Sequence, residues 1–270
     1  MEIPKNTDLT VGGQQFAGSW AVILGGSSGF GLSAVRKLAS HGMNIAMLYR
    51  EMAVAERSLK LDLDLIEKEH AIKVLPLNLN ALSEEGQALF LEEFTRSVGT
   101  KKCVRLLLHS IARGNLKPLD SLTSQDFRDT TYAMGTSILD WAKLLLKEDL
   151  FESDARIIGL TSEGTYKYWE GYAAVSVAKA SMESLASYMA VELAGHGIRT
   201  NLIQAGITDT PSLKKIPGSR ELLDHAVERN PFGRTTDPAD VANVIYLLCT
   251  KEASWINGAL IHVDGGEHCR

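Results

Sequence analysis

The sequence predicts an α/β protein: a single doubly wound, Rossmann-like domain in which a seven-stranded parallel sheet is flanked by helices. Three observations predict it. Short apolar runs alternate with longer amphipathic segments along the chain. Most of the short runs are apolar throughout, as expected of strands covered by helices on both faces. A glycine-rich turn, residues 25–31 (GGSSGFG), follows the first run and opens a helix, the arrangement that binds anionic ligands in such sheets.

In chain order, strands are expected at Trp20–Leu24 (WAVIL), Asn44–Tyr49 (NIAMLY), 72–77 (IKVLPL), Val104–His109 (VRLLLH), 156–160 (RIIGL), 199–204 (RTNLIQ) and 259–263 (ALIHV). Helix-length segments separate them. Leu59, Leu61, Leu63 and Leu65 alternate as a strand would. They sit, however, in the charged segment 51–70, which has to cross between two parallel strands, so a helix is expected. Long helices are expected around 124–146 and 172–193. Their apolar residues Ile138, Trp141, Leu145, Leu185, Tyr188 and Met189 exceed what one sheet face can bury, which predicts a homotetramer. The segment 208–230, rich in Pro, Gly, Lys and Arg, is expected to form a substrate lid. Residues 1–17 read as an N-terminal arm and 18–270 as the single domain that includes the lid.

A hydrophobic fraction of 45%, a charged fraction of 23% and a net charge of -5 allow a large core and show no basic stripe. Nucleic acid is therefore not an expected partner. No apolar run approaches the ~20 residues that span a bilayer, and the N-terminal segment lacks the apolar stretch of a secretory signal. Cys103, Cys249 and Cys269 have neither metal-ligand spacing nor the even count of a disulfide framework. Reduced thiols in a cytoplasmic protein, and no metal, are expected.

Gly25, Gly29 and Gly31 allow a tight turn and close approach of backbone to a pyrophosphate, Ser27 and Ser28 add hydroxyl donors, and the following helix supplies N–H groups and a positive dipole end. The second strand ends at Tyr49-Arg50. An acidic residue there would bind a ribose 2′-hydroxyl and repel a 2′-phosphate. Arg50 is instead a planar cation suited to phosphate, although Glu51 follows. NADPH is the expected cofactor, with NADH as the alternative.

Tyr172 and Lys179 supply the chemistry. Hydride transfer to or from a polar double bond leaves charge on oxygen. A tyrosine hydroxyl can stabilise or protonate that oxygen, and a lysine ammonium eases the task while holding the nicotinamide ribose. Seven residues is nearly two helical turns, so the two side chains share a face about 10 Å apart along the axis.

These motifs are similar to those of the short-chain dehydrogenase/reductase superfamily, and the resemblance spans about residues 18–267. The superfamily turn reads TGxxxGxG, with Leu24 here in place of threonine. Most members set the catalytic pair at Y-x3-K, but four residues before Lys179 stands Val175. The Y-x6-K spacing resembles the divergent branch that holds the enoyl-acyl-carrier-protein reductases, and it suits a substrate whose reacting carbon lies further from its carbonyl oxygen. His109-Ser110-Ile111-Ala112 resembles the HSI(A/G) stretch of the type I enoyl reductases, where most relatives have NNAG. Residues 168–172 (YWEGY) through Lys179-Ala180 and then 188–193 (YMAVEL) look like the type III enzymes, as do Asp209-Thr210, Leu213-Lys214 and Asn230-Pro231 with Gly233-Arg234 in the lid region. Residues 262–266 (HVDGG) match the superfamily's closing strand and turn.

The resemblance implies NADPH-dependent reduction of the trans-2 double bond of an enoyl thioester, carried by acyl carrier protein or coenzyme A, in fatty-acid or polyketide-type biosynthesis. Tyr172 would hold the enolate oxygen, Lys179 the ribose, and Ser162, seventeen residues before Lys179, would support the substrate carbonyl. The dinucleotide would contact Gly25, Ser27, Ser28, Phe30, Gly31, Arg50, Ser110, Ile111, Lys179, Thr208 and Thr210, with Asn78 and Leu79 at the adenine. Ala112 and Tyr168 would touch the substrate, and Tyr166 and Tyr168 either line the acyl pocket or pack. His109 is either a polar cap at a strand end or a site residue. Met134 stands where ordinary relatives carry an asparagine that supports a proton relay, which weighs toward enoyl reduction or reduced activity. Two other functions compete: a carbonyl reductase or alcohol dehydrogenase of secondary metabolism, and a non-catalytic dinucleotide sensor. The Tyr172–Lys179 pair argues against the sensor.

Overall fold

The computed structural model describes residues 14–99, 101–216 and 218–270. Among these, seven parallel strands form one sheet in the order β3-β2-β1-β4-β5-β6-β7. They are β1 (Trp20–Leu24), β2 (Asn44–Tyr49), β3 (Val74–Asn78), β4 (Val104–His109), β5 (Phe151–Thr161), β6 (Ile198–Ala205) and β7 (Leu260–Val263). The strand order reverses between β1 and β4, which opens a crevice at the carboxyl ends of the strands. β3 begins two residues later than the apolar run suggests. Ala71 adopts a left-handed conformation (φ 51°) that closes the preceding helix, and the Ile72 N–H turns back to the Glu67 carbonyl.

Alternate strand residues feed two cores, as the pleat requires. On one face Ile23, Met47, Leu108, Ile158 and Ile203 pack under α1 (Gly29–Ala39), α2 (Ala53–His70) and α8 (Pro238–Cys249). On the other, Val22, Leu48, Leu107 and Ile157 pack under α3 (Glu84–Val98), α5 (Ser137–Lys147) and α6 (Ala173–Glu192). The segment with alternating leucines is helical. Leu59 and Leu63 are buried, whereas Leu61 and Leu65 are 62% and 65% exposed, the pattern of residues four apart on one helix face.

The long helix expected around 124–146 is interrupted. α4 (Ser124–Thr131) starts with Thr123 and Asp126 in a reciprocal capping box. It then widens into a π-helical turn, Tyr132–Thr136, in which the Ser137 N–H reaches back to the Tyr132 carbonyl, before α5 resumes. α6 lies tightly on this turn. A Cβ on Gly135 would fall 2.4 Å from Ser181 Oγ and 2.5 Å from the Ala178 carbonyl oxygen, so only glycine fits there.

Four of the six residues assigned to a subunit interface are core residues instead. Ile138, Trp141, Leu145 and Met189 are buried within the chain, and the Trp141 indole donates to the Ala81 carbonyl at 2.8 Å. Leu185 is half-buried, and Tyr188 alone of the six is exposed. The four buried residues belong to the core between the sheet and its helices, where Trp141 packs edge-on against Phe90 of α3. Exposed apolar side chains are spread over the described residues, and two groups of them lie on α6 and beside β7. One is Val177, Tyr188 and Val191 on α6; the other is Leu247, Trp255, Ile256 and Leu260 around the edge strand β7.

Of the arm 1–17, residues 1–13 lie outside the described residues. Phe16 is buried against Tyr246 of α8, and the Tyr246 hydroxyl donates to Gln15 Oε1 at 2.7 Å. Among the described residues no helix is long and apolar enough to cross a membrane.

Candidate active site

The carboxyl ends of β1, β4, β5 and β6 surround a cavity of about 430 Å³. Its first wall is the glycine turn. Gly25 has φ +87°, and a Cβ there would fall 2.6 Å from the Ser110 carbonyl oxygen. One on Gly31 would fall 2.1 Å from the Gly25 carbonyl oxygen. Gly31 is thus a packing glycine behind the turn and does not line the cavity, whereas Gly25, Ser27, Ser28, Gly29 and Phe30 do. Ser28 is the N-cap of α1, yet its hydroxyl makes no capping bond. The first-turn N–H groups of a helix lack intrahelical partners, so this cradle presents donors with no Cβ in the way. It fits the pyrophosphate of a dinucleotide.

Arg50, Leu79, Ser110, Ile111, Thr208 and Thr210 continue the same wall. Arg50 is exposed and makes no hydrogen bond or ion pair among the described residues, which leaves its fork open for a phosphate. Glu51 lies close by, its Oε1 accepting from Ser27 Oγ at 2.8 Å. Asn78 does not reach the cavity. Its Oδ1 accepts from the Glu51 N–H at 3.2 Å, and its Nδ2 donates to the Glu51 carbonyl at 2.9 Å and to Glu56 Oε2 at 3.0 Å. The amide is consumed in fastening the turn after β2, and Leu79 through Leu82 line the wall instead.

The opposite wall carries Tyr172, Ser162 and Lys179. Tyr172 is the residue immediately before α6, and its Oη lies 3.2 Å from Ser162 Oγ. Ser162 Oγ also accepts from the Gly164 N–H at 3.2 Å. With both of these bonds accepted, the serine's own proton remains available. Gly164 lies flat against the Tyr172 ring, where a Cβ would come within 2.5 Å of the ring carbon Cε1. Burial raises the Tyr172 pKa above its ordinary value, against the lowering effect of Ser162, so the hydroxyl is protonated at neutral pH.

Lys179 is buried, and its Nζ donates to the Met134 carbonyl at 3.1 Å. That carbonyl comes from the middle of the π-helical turn. Burial pushes the lysine pKa down to about 7, and Glu183 opposes the shift. His109 is fully buried and absent from the cavity lining. Its Nε2 lies 2.9 Å from Ser137 Oγ, which ties the end of β4 to the start of α5. Burial, and then the Lys179 charge, push its pKa down to about 3, so His109 is a neutral structural residue.

Beyond Tyr172 the cavity is apolar, lined by Leu82, Leu116, Met134, Trp169, Val175, Ile216 and Leu222. Ala112 belongs to the lining, but Tyr168 is 88% exposed and Trp169 takes its place. Tyr166 also stays outside, its Oη accepting from Gln204 Nε2 at 2.9 Å. The loop around Tyr168 has no periodicity from which the inward aromatic could be read. The lid contributes Thr208, Thr210, Ile216 and Leu222, and most of its second half is the helix α7 (Ser219–Arg229). Away from this cavity, His262, Asp264 and His268 cluster at the C-terminal turn. The Asp264 carboxylate there already accepts from the Gly266 and His268 N–H groups and lies 2.6 Å from His268 Nδ1.

Comparison with known proteins fits this geometry. Residues 25–268 match the family described as enoyl-(acyl carrier protein) reductase. The enoyl-acyl-carrier-protein reductase (NADH) of Bacillus cereus is 30% identical over 241 residues, 86% of this chain and 89% of that one. A 112-residue stretch is 37% identical to the enoyl-acyl-carrier-protein reductase (NADH) of Aquifex aeolicus, 42% of each chain. Among solved structures, the Bacillus cereus enoyl-acyl carrier protein reductase with NADP+ and indole naphthyridinone superposes with a TM-score of 0.83 at 27% identity. That superposition covers 94% of this chain and 98% of the other.

A pH dependence follows from Lys179. Its folded pKa of about 7 lies below the ordinary lysine value of 10.5, so between these values the protein holds the lysine neutral where the unfolded chain would bind a proton. An anionic dinucleotide favours the ammonium form. Affinity should fall as pH rises through 7, and at pH 8 binding should take up close to one proton. Calorimetry in two buffers of different ionisation enthalpy reads this directly. The Lys179→Met variant should show neither effect, and pH-independent binding without proton uptake in the wild type would contradict the assignment.

Proposed function

The chain belongs to the enoyl-(acyl carrier protein) reductase family of the short-chain dehydrogenases/reductases, and from that premise we propose that it reduces the trans-2 double bond of an enoyl thioester with NADPH. The observation that supports this most is the placement of the acid. The Tyr172 and Ser162 hydroxyls meet at 3.2 Å, between the dinucleotide cradle and the apolar half of the cavity. Four residues before Lys179, where a carbonyl reductase of this superfamily would place its acid, Val175 is buried in an apolar cluster with Met134 and Ala178.

With its pyrophosphate in the cradle, a reduced dinucleotide would supply a hydride to the β-carbon of the enoyl group, and the α-carbon of the resulting enolate would take a proton from solvent. Tyr172, kept protonated by burial, donates to the thioester oxygen as negative charge develops there. Ser162 offers its remaining proton to the same oxygen. Lys179, held on the Met134 carbonyl, faces the nicotinamide ribose and adds positive potential. Ala112 and the apolar lining, Trp169 and Leu222 included, hold the acyl chain and exclude water. Arg50 receives the 2′-phosphate, while Glu51 beside it keeps NADH in use as a weaker alternative. The substrate is carried by acyl carrier protein or coenzyme A, and the enzyme works in the cytoplasm in fatty-acid or polyketide-type biosynthesis.

We also propose a homotetramer. Exposed apolar residues form two groups, on α6 and around β7. If each pairs with its own copy, the two isologous contacts close into dihedral symmetry.

The wild type should oxidise NADPH with a crotonyl thioester and not with an acetoacetyl thioester. Tyr172→Phe should lower turnover about 10²–10³-fold, the usual cost of one oxyanion donor, with NADPH affinity unchanged. Preference for the acetoacetyl thioester, or near wild-type turnover in the variant, would sink the reading. Light scattering that gives the 29.4 kDa mass of a single chain would remove the tetramer.

A further inference from the structure

Arg229, the last residue of α7, touches neither the cradle nor the apolar lining. Its Nη2 donates to Glu163 Oε1 at 2.8 Å and to Glu267 Oε1 at 2.5 Å. The cluster is buried: Glu163 is 8% exposed, Glu267 1%, and the Arg229 side chain 11%. Lys167 Nζ completes it at 2.9 Å from Glu163 Oε2, so two carboxylates face two cations. Glu267 Oε2 accepts from the Ile207 N–H at 3.2 Å, and a Cβ on Gly206 would fall 2.7 Å from that oxygen.

The guanidinium therefore joins the lid helix directly to the Glu163 loop and to Glu267 of the C-terminal turn, and Glu267 in turn holds the start of the lid at Ile207. Glu163 follows Ser162 in the loop that carries the hydroxyl beside Tyr172. Ile207 starts the connection from β6 into the lid and lines the cavity. Arg229 ends the lid helix. Anchoring that helix end does not require charge, because Asn230 already fastens it by donating to the Asp264 carbonyl at 2.8 Å. Burying three charged groups, with Lys167 28% exposed at the edge, is costly. What the cluster adds is a fixed register between lid and catalytic loop.

We propose that Arg229 is a positioning residue that locks the lid to the Ser162 loop, so that an acyl chain beneath α7 is held in register with Tyr172 and Ser162. Only the statement about the acyl chain rests on the enoyl-reductase reading. The device fixes the C-terminal end of the lid.

Hydrogen exchange on the full chain, free of ligand, tests the lock. Arg229→Gln should speed exchange at 162–167, 206–208 and 225–229 together, while β1 and α1 (20–39) keep wild-type protection. Arg229→Lys, which keeps the charge, should restore part of the protection at all three. Loss confined to 225–229, or spread through 20–39 as well, would overturn the proposal. Should Arg229→Gln not fold, Glu163→Gln provides the second arm. It should speed exchange at 225–229, and wild-type exchange there would equally overturn the lock. With a crotonyl thioester, Arg229→Gln should lower kcat about 10–100-fold, the scale of a small misplacement far from the chemistry, with partial recovery in Arg229→Lys. Wild-type protein inactive on that thioester would refute the functional reading, while the exchange result would still decide the lock.

Discussion

A lysine buried beside an anion-binding cradle needs an acceptor, and Lys179 finds it in the Met134 carbonyl. Much of the local architecture serves this contact. The helix before β5 widens into a π-helical turn, a feature that recurs at functional sites, and Met134 sits at its centre. Gly135 lets α6 approach that turn to within contact of Ala178 and Ser181. Ser137, where α5 resumes, is held by His109 at the end of β4. Among the described residues the lysine makes no ion pair, and burial, opposed by the Glu183 charge, leaves its pKa near neutrality, where a bound anion can shift it.

The same helix sets the acid. Tyr172 precedes the first turn of α6, and its hydroxyl reaches the Ser162 loop. Burial acts in opposite directions on the two groups. It keeps Tyr172 protonated and makes Lys179 easy to deprotonate. Division of labour between a proton donor and a charge whose state depends on the bound cofactor follows from that asymmetry.

Much of this was legible in the sequence. Apolar runs and a glycine turn predict the sheet, because burial on both faces and close backbone approach leave direct marks on residue type. The spacing of Tyr172 and Lys179 is legible for the same reason. What the sequence hides is where a loop side chain points. Asn78 has the right chemistry for an adenine, but its amide is spent on Glu51 and Glu56. Tyr168 has the right chemistry for an acyl pocket, but Trp169 faces inward. Ile138, Trp141, Leu145 and Met189 read as surplus apolar residues because the strands and the α3 aromatic they pack against are distant in sequence. Met134 reads as the loss of a polar relay residue, yet it is the backbone carbonyl at this position that holds the lysine. The Arg229 cluster depends on contacts across 66 and 38 residues, beyond the reach of any local pattern.

On the proposed function, the Tyr172–Lys179 arrangement directs hydride to the β-carbon of an enoyl thioester. Reduction of crotonyl thioester with NADPH deuterated at the transferring position, followed by deuterium NMR of the butyryl product, reads the site of transfer. The account predicts deuterium at C3 alone, with the C2 proton drawn from solvent. Deuterium incorporated at an oxygen-bearing carbon of a 3-oxoacyl thioester, with none transferred to the crotonyl substrate, would contradict it.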